Sequence, residues 1–355
     1  MDEALQLTMP VAPHNRFDEA ALAAYMAAHV AGFEGALQVA QFKGGQSNPT
    51  FLLSAGGRRY VLRKKPGGAL LPSAHAVERE YRVITALQGS GVPVAQSHCL
   101  CEDSAVIGTP FYIMDHVQGR VLWDPTLPGM APSERTAVFE DMNRVIATLH
   151  GLDVEALGLG SYGHHENHLQ RQIARWSKQY QASVTGPQPA MDRLIDWLPA
   201  HIPPGESTTV VHGDLRLDNM IFHATEPRVV AVLDWELSTL GDPLVDFAYH
   251  MLTWELSAKQ FRGMAGADLA GLGIPDQQTY LERYVQRTGR PSIDPERWQF
   301  YIVFNLFRLA AILQGIAKRV EKGTATSATA AETGQRAGPI AELAWRRARE
   351  HPDAS

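Results

Sequence analysis

The chain has 355 residues, 45% of them hydrophobic and 20% charged, which suits a globular protein with room for two lobes. A formal net charge of −6 excludes a general nucleic-acid binder, which would carry a basic excess. Its two cysteines, Cys99 and Cys101, offer neither a disulfide framework nor a four-ligand zinc set, so a reducing, cytoplasmic setting is expected.

Residues 1–16 read as an arm without a basic and apolar leader, so no secretory signal is expected. Phe17 to Val30 is an Ala-rich helical pattern beginning near Asp18. Leu37 to Phe42 reads as a strand leading into Gly44-Gly45-Gln46-Ser47-Asn48. Phe51 to Leu53 continues as a strand, Gly56-Gly57 turns, and Tyr60 to Arg63 is another strand. A glycine-containing turn such as 44–48 can lay its N–H groups over phosphates or be a plain hairpin, and its position before the other kinase elements favours the phosphate role. Along the Tyr60 to Arg63 strand, alternation puts Val61 and Arg63 on one face and Leu62 and Lys64 on the other. Pro66 is expected to end the strand and release Lys65 to solvent.

His75 to Gln88 is a helix on which Val77, Glu80, Ile84 and Leu87 share a face, with Glu78 on another. A carboxylate inside that apolar stripe requires a partner, unless it lies at the stripe's exposed edge. Val92-Pro93-Val94 is extended, and Phe111 to Met114 is a strand entering Asp115-His116-Val117-Gln118-Gly119. From Pro132 the chain turns helical, with Ser133 as N-cap of a helix to His150. Tyr162 to His168, YGHHENH, is read as a polar loop rather than a metal site, since His164, His165 and His168 have no Cys and no evident fourth ligand. Helices follow at His168 to Ser183 and Pro189 to Leu198.

The chain is organised around Val210 to Pro243. His212-Gly213-Asp214-Leu215-Arg216-Leu217-Asp218-Asn219 stands where protein kinases carry H-R-D-L-x-x-x-N, and Asp234-Trp235-Glu236 where they carry D-F-G. Phosphoryl transfer needs one Asp to take the acceptor proton and further oxygen ligands to hold Mg²⁺ on the phosphates. Asp214 is assigned the first role, and Asn219 and Asp234 the second. Glu236 could touch the metal through water or cap the loop. Arg216 either meets the transferring phosphate or forms a salt bridge with Asp218 or another acid. Arg63 stands where the V-A-I-K lysine reaches the phosphates, with Val61 roofing the adenine.

Leu244 to Trp254, Asp276 to Thr288 and Pro295 to Val320 are expected helices. The most apolar stretch, Tyr301 to Ala317, is broken by Asn305, Arg308 and Gln314 and reads as a buried core helix rather than a membrane span. Arg308 is expected in an ion pair, with acceptor recognition as the alternative. Lys322 to Gly338 reads as a linker and Ile340 to Arg349 as a basic helix with a solvated face.

HGDLRLDN, followed by VLDWE and GDPLVDFA, resembles the aminoglycoside phosphotransferase and choline kinase family, especially the kinase-like domains alone or fused to acyl-CoA dehydrogenases. The resemblance runs from about Gly44 to Arg319. It implies an α+β, two-lobed protein-kinase-like fold, with a β-rich nucleotide lobe at 1–117 and a helical lobe at 118–355. It implies that Glu80 pairs with the basic residue ending the third strand, and that backbone at Asp115 and Val117, with Met114 behind, binds adenine. Asp246 would hold the catalytic loop. The implied activity is ATP- and Mg-dependent phosphorylation of a small hydroxylated molecule, including a hydroxyacyl compound or its coenzyme A thioester. A nucleotide-binding pseudokinase and a protein kinase are the rivals. Intact Asp214, Asn219 and Asp234 weigh against the first, and the lack of an A-P-E segment against the second. No nucleic acid or membrane partner is expected, and the oligomeric state is open.

Overall fold

The computed structural model describes residues 7–43, 48–67, 75–325, 327 and 329–351. They form two compact units. The first comprises Met1–Val121, Glu155–Gly160 and Asp218–Ser238, and the second Leu122–Val154, Ser161–Leu217 and Thr239–Ser355.

In the first unit, six antiparallel strands pair in the order β1-β2-β3-β4-β6-β5. They are β1 (Thr8–Met9), β2 (Gln38–Phe42), β3 (Thr50–Ala55), β4 (Arg58–Lys64), β5 (Ser97–Cys101) and β6 (Phe111–Asp115). Gly56 and Gly57 join β3 to β4 with φ of 56° and 77°. Two left-handed residues make the hairpin turn whose twist matches its strands. Helix α1 (Glu19–His29) starts where the Asp18 side chain accepts the Ala20 and Ala21 N–H groups, both at 2.9 Å. Its Leu22 and Met26 pack with Phe51, Leu53, Tyr60, Leu62, Phe111 and Ile113 into one core. The opposite parity, Val61 and Arg63, is thereby left for the site. Helix α2 (Val77–Leu87) packs on β5 and β6, and the short α3 (Ser104–Ile107) packs on α1.

A second sheet, β10-β9-β7, is formed by β7 (Arg120–Val121), β9 (Met220–Phe222) and β10 (Val229–Val232). This pairing, with the Val232 N–H bonded to the Pro93 carbonyl at 2.8 Å, draws Asp218–Ser238 into the first unit. A lobe boundary at residue 117 assigns that hairpin to the other side, because long-range pairing leaves no mark on local sequence. Gly119 is required here, since a Cβ would collide with the Phe222 carbonyl.

The second unit is mainly helical, with β8 (Thr209–Val211) and β11 (Thr239–Gly241) paired as its small sheet. Its helices are α4 (Pro132–His150), α5 (His168–Ser183), α6 (Pro189–Ala200), α7 (Pro243–Glu255), α8 (Ala258–Phe261), α9 (Leu269–Leu272), α10 (Gln277–Thr288), α11 (Pro295–Glu321), α12 (Ala330–Gln335) and α13 (Ala337–Arg349). Ser133 is not the cap of α4: Pro132 takes the first helical position and Ala131 precedes it. The spine is α11, which packs on α5, α7, α12 and α13. It is long and apolar enough to cross a membrane, but 78% of its apolar window is buried inside the protein. The expected 322–338 linker contains α12, and α13 buries Ile340, Ala341, Leu343 and Ala344 while Arg347 pairs with Glu255 at 2.7 Å.

Two buried histidines of this unit tie stability to pH. Burial pushes the His168 and His250 pKa values down to about 4, with nearby Arg171 adding to the effect at His168. Their folded values lie below the unfolded value near 6.5, so the neutral-state stabilisation is present above pH 6.5 and lost as pH falls toward 4. The loss is at most about 3 kcal/mol per histidine. Urea midpoints are expected to drop between pH 7 and 4.5, and less so in His250→Phe. Equal pH slopes in the two proteins would refute the assignment.

Candidate functional site

Arg63 occupies the penultimate position of β4, opposite Thr50 on β3 and Tyr112 on β6, while Val61 lies between Leu52 and Met114. The guanidinium is largely buried and meets three carboxylates: Glu80 at 3.1 Å, Asp234 at 2.9 Å and Glu236 at 3.2 Å. Glu80 is 1% exposed and also accepts from Asn48 Nδ2 at 2.7 Å and the Tyr112 hydroxyl at 3.1 Å. His75 in turn bonds Asn48 at 3.1 Å. Burial works against the charge on Arg63, but the carboxylates of Glu80 and Asp234 outweigh it and raise its pKa. Burial pushes the Glu80 carboxyl up, to about 7, against the pull of Arg63. The two shifts favour opposite states of the pair. Two hydrogen-bond donors and the adjacent guanidinium favour the ionised form, which only accepts hydrogen bonds.

The hairpin of the second sheet positions the other carboxylates. Leu233 N–H donates to the Asn219 carbonyl at 2.8 Å, so Asn219 and Asp234 leave the β9–β10 ladder side by side. Asp234 then adopts φ 65°, a left-handed conformation that costs a non-glycine residue free energy and is concentrated at functional sites. The turn Trp235–Leu237 follows and packs on α2, which brings Glu236 to Arg63. Gly44, Gly45, Gln46 and Ser47 lie outside the described residues.

At the end of β6, Asp115 spends its N–H on the Gln96 carbonyl at 2.8 Å and its carboxylate on His98 at 2.7 Å. His116 N–H is bonded to Arg59. These commitments leave Val117 rather than the Asp115 amide to offer a donor. Lys65, expected in solvent, pairs with Glu78 at 2.9 Å. Lys64 lies on the core side, only 4% exposed, its ammonium 6.0 Å from the Phe51 ring and its pKa lowered by burial.

In the second unit, β8 delivers the catalytic loop. Gly213 takes φ 85°, where only glycine is free of strain. The buried Asp246 carboxylate accepts the His212 N–H at 2.6 Å, the Gly213 N–H at 2.9 Å and the His150 ring at 3.3 Å. Burial raises its pKa, but these bonds and the histidine charges prevail and lower it. His150 is held from its other nitrogen by the Tyr284 hydroxyl at 2.9 Å, a packed residue as its helix-end position suggests. Asp246→Ala strips two buried amides of their acceptor and is expected to cost about 3 kcal/mol or more, read as a lowered urea midpoint. A midpoint shift under about 1 kcal/mol would remove the support role.

Asp214 N–H donates to His212 Nδ1 at 3.2 Å, and Arg216 Nε stands 3.3 Å from the Asp214 carboxylate. Asp214 is thus one acid that Arg216 pairs with. Among the described residues Arg308 has no ion-pair partner: its guanidinium donates to the Gly213 carbonyl and lies over the rings of Trp176 and Tyr249, at 5.4 and 4.6 Å from their centroids. His168 opens α5, where the expected helix begins, and is buried, with its ring accepting from the Asp242 N–H at 3.3 Å. Sequence reasoning missed Tyr112, His75, Tyr249 and Trp176. Only the β4–β6 register and long-range helix packing bring them to these sites.

A family model described as "Phosphotransferase enzyme family" matches residues 38–301. Acyl-CoA dehydrogenase family member 10 of Mus musculus is 50% identical over 313 residues, 88% of this chain and 29% of that protein. Family member 11 of Mus musculus is 42% identical over 343 residues, 94% of this chain and 44% of its own length. The chain thus spans less than half the length of these relatives. A crystal structure from Ralstonia eutropha JMP134, assigned as an aminoglycoside phosphotransferase, is 57% identical with a TM-score of 0.88, covering 94% of this chain and 99% of that one. The fold is shared more distantly by a thermostable mutant of aminoglycoside phosphotransferase APH(4)-Ia in complex with ADP and hygromycin B. There the identity is 18% and the TM-score 0.57, over 87% of this chain and 95% of that one. The α+β fold, the ordered motif and these matches converge: the chain belongs to the phosphotransferase enzyme family.

Proposed function

We propose that the protein transfers the γ-phosphate of ATP to a hydroxyl of a small acyl compound, a hydroxy acid or its coenzyme A thioester. The observation that carries the ATP part is the buried Arg63–Glu80 pair joined to Asp234. It supplies a fixed cation for phosphate oxygens on the same unit as the metal-ligand candidates. The acyl part rests on the relatives' names, acyl-CoA dehydrogenase family members 10 and 11, and a nucleotide is present in the APH(4)-Ia complex.

Asn219, Asp234 and Glu236 offer only oxygen donors, which fits Mg²⁺, and two carboxylates and an amide leave room for phosphate and water oxygens. Bound there, Mg²⁺ would neutralise charge on the β- and γ-phosphates. The residues would divide the remaining work. Arg63 would bind phosphate oxygens while Glu80 holds its guanidinium in register. Val61 would cover the adenine, with Met114 behind it and the Val117 amide bonding its edge. Asp214 would orient the acceptor hydroxyl and take its proton, and Arg216 would face the transferring phosphoryl group. The test is a panel of hydroxylated metabolites, including hydroxyacyl-CoA thioesters, sugars and choline, followed by ADP release and product mass spectrometry. A phosphorylated hydroxyacyl product supports the proposal, and a phosphorylated sugar or amine redirects the acceptor. Mg-nucleotide binding without any phosphorylated product would make the protein a regulatory binder instead.

A further inference from the structure

Helix α11 carries a cation into the interior without an acid to meet it. Arg308 is 7% exposed, and its guanidinium lies 4.6 Å from the centroid of the Tyr249 ring of α7 and 5.4 Å from that of Trp176 of α5. A guanidinium offers several N–H donors. The hydrogen bond that Arg308 makes among the described residues is the one to the Gly213 carbonyl, and its Nε is buried without a partner. Trp176, also 7% exposed, is in the same condition: its indole N–H is buried with no hydrogen-bond partner among the described residues. The exposed Arg175 places a second guanidinium 5.4 Å from the Trp176 ring. Contact with two rings offsets part of the cost of burying the Arg308 charge. It gives neither N–H an acceptor, and an open buried donor carries the full desolvation cost of its group. Two open donors on stacked side chains, tied through Arg308 to the residue before Asp214, are accounted for by a ligand oxygen that closes them.

We propose that Arg308 and Trp176 bind the acyl oxygen of the phosphate acceptor, either the carboxylate of a hydroxy acid or the carbonyl of its thioester. They thereby select acyl acceptors over cationic ones such as choline or an aminoglycoside. The proposal rests on the reading of the acceptor as a hydroxyacyl compound whose hydroxyl meets Asp214. Both open groups are pure donors, which suits an oxygen that has lone pairs and no proton to give. The charge around the indole is positive, from Arg308 and Arg175, so a carboxylate is attracted there and an ammonium repelled. The bond from Arg308 to the Gly213 carbonyl fixes this site relative to the catalytic loop. An acceptor gripped at its acyl oxygen therefore has its hydroxyl confined near the next residue, Asp214, which is the positioning that transfer requires. Side chains that only filled the core would need neither a charge nor an unbonded N–H there.

The probes are the hydroxybutyrate isomers, their coenzyme A thioesters and choline, each followed by calorimetry for binding and by ADP release with product mass spectrometry. Wild-type protein is expected to bind and phosphorylate a hydroxybutyrate or a thioester and to leave choline untouched. Which of the two acyl forms is turned over identifies the source of the oxygen. Arg308→Met removes the charge at similar volume and is expected to weaken acyl binding by about 10- to 100-fold, the range for a hydrogen bond to a charged group. Arg308→Lys keeps the charge but not the planar fork and is expected to recover only part of that affinity. Trp176→Phe keeps a ring against Arg308 and removes the indole N–H, for an expected rise of about 3- to 10-fold in the acceptor KM. In all three variants the Kd for MgATP stays at its wild-type value, and the loss falls on the acceptor KM more than on kcat. Hydroxyacyl turnover with wild-type KM in both Arg308→Met and Trp176→Phe overturns the acyl-oxygen site alone. Variants that lose stability and kcat with the acceptor KM unchanged mark a purely structural stack and overturn it as well. A wild-type protein that phosphorylates choline, or none of the acyl probes, overturns the hydroxyacyl reading together with the site, so the two failures are separable.

Discussion

Asp214→Asn is expected to lower kcat by about 10²- to 10⁴-fold while MgATP still binds, the range for removing a general base. Asparagine keeps the shape of the side chain, but it cannot take a proton from the acceptor. The loop around it is anchored through backbone groups. His212 and Gly213 give their N–H groups to Asp246, and the Gly213 carbonyl accepts from Arg308. None of those bonds involves the Asp214 carboxylate, so the backbone anchors of the loop are kept in the variant. The residues assigned to nucleotide and metal, Arg63, Glu80, Asn219 and Asp234, belong to the other compact unit and keep their mutual bonds. Calorimetry with ATP and Mg²⁺ is expected to return the wild-type affinity. A purified variant that turns over at the wild-type rate would remove Asp214 from the chemistry.

Local rules recovered what local rules can. Alternation along β4 placed Val61 and Arg63 together, because a strand's period of two is independent of its partners. Helical spacing separated Glu80 from Glu78, and the structure gives the first to Arg63 and the second to Lys65. Asp246 was legible from GDPLVDFA through the resemblance alone. The failures have a common cause. Arg308 binds a backbone carbonyl 95 positions away, and no side-chain code specifies that partner. Residues 322–338 have the composition of a linker, yet Ala330–Gln335 is helical because α11 packs against it. YGHHENH looked like one polar loop, but its last histidine is drawn into the core beneath Gly241, where a Cβ would strike the His168 ring. The lobe boundary likewise depends on β7 pairing with β9, about a hundred residues on in sequence.

Substitution of Arg63 separates its phosphate role from the neighbouring cations. Arg63→Ala is expected to raise the KM for ATP and lower kcat, for a combined loss near 10²-fold or more in kcat/KM, the scale of removing one preorganised donor. The same change strands Glu80 in the interior without its cation, which costs about 3–5 kcal/mol and could unfold the protein before any kinetic effect is read. Arg63→Met combined with Glu80→Gln removes both charges at similar volume and keeps a side-chain amide within reach of Asn48 and Tyr112. That double variant is expected to fold and to remain as impaired as the single one. Arg63→Lys should rescue only in part. The guanidinium reaches Glu80 through Nε and Asp234 and Glu236 through a terminal nitrogen, and a single ammonium cannot span those positions. Lys64→Ala is expected to leave ATP kinetics unchanged, since its side chain lies over Phe51 on the core side of the sheet. Lys65→Ala breaks only a half-exposed pair with Glu78, worth less than about 1 kcal/mol. Steady-state kinetics in varied ATP across the four single variants decide the matter: a silent Arg63→Ala beside a damaging Lys65→Ala would transfer the phosphate role to Lys65.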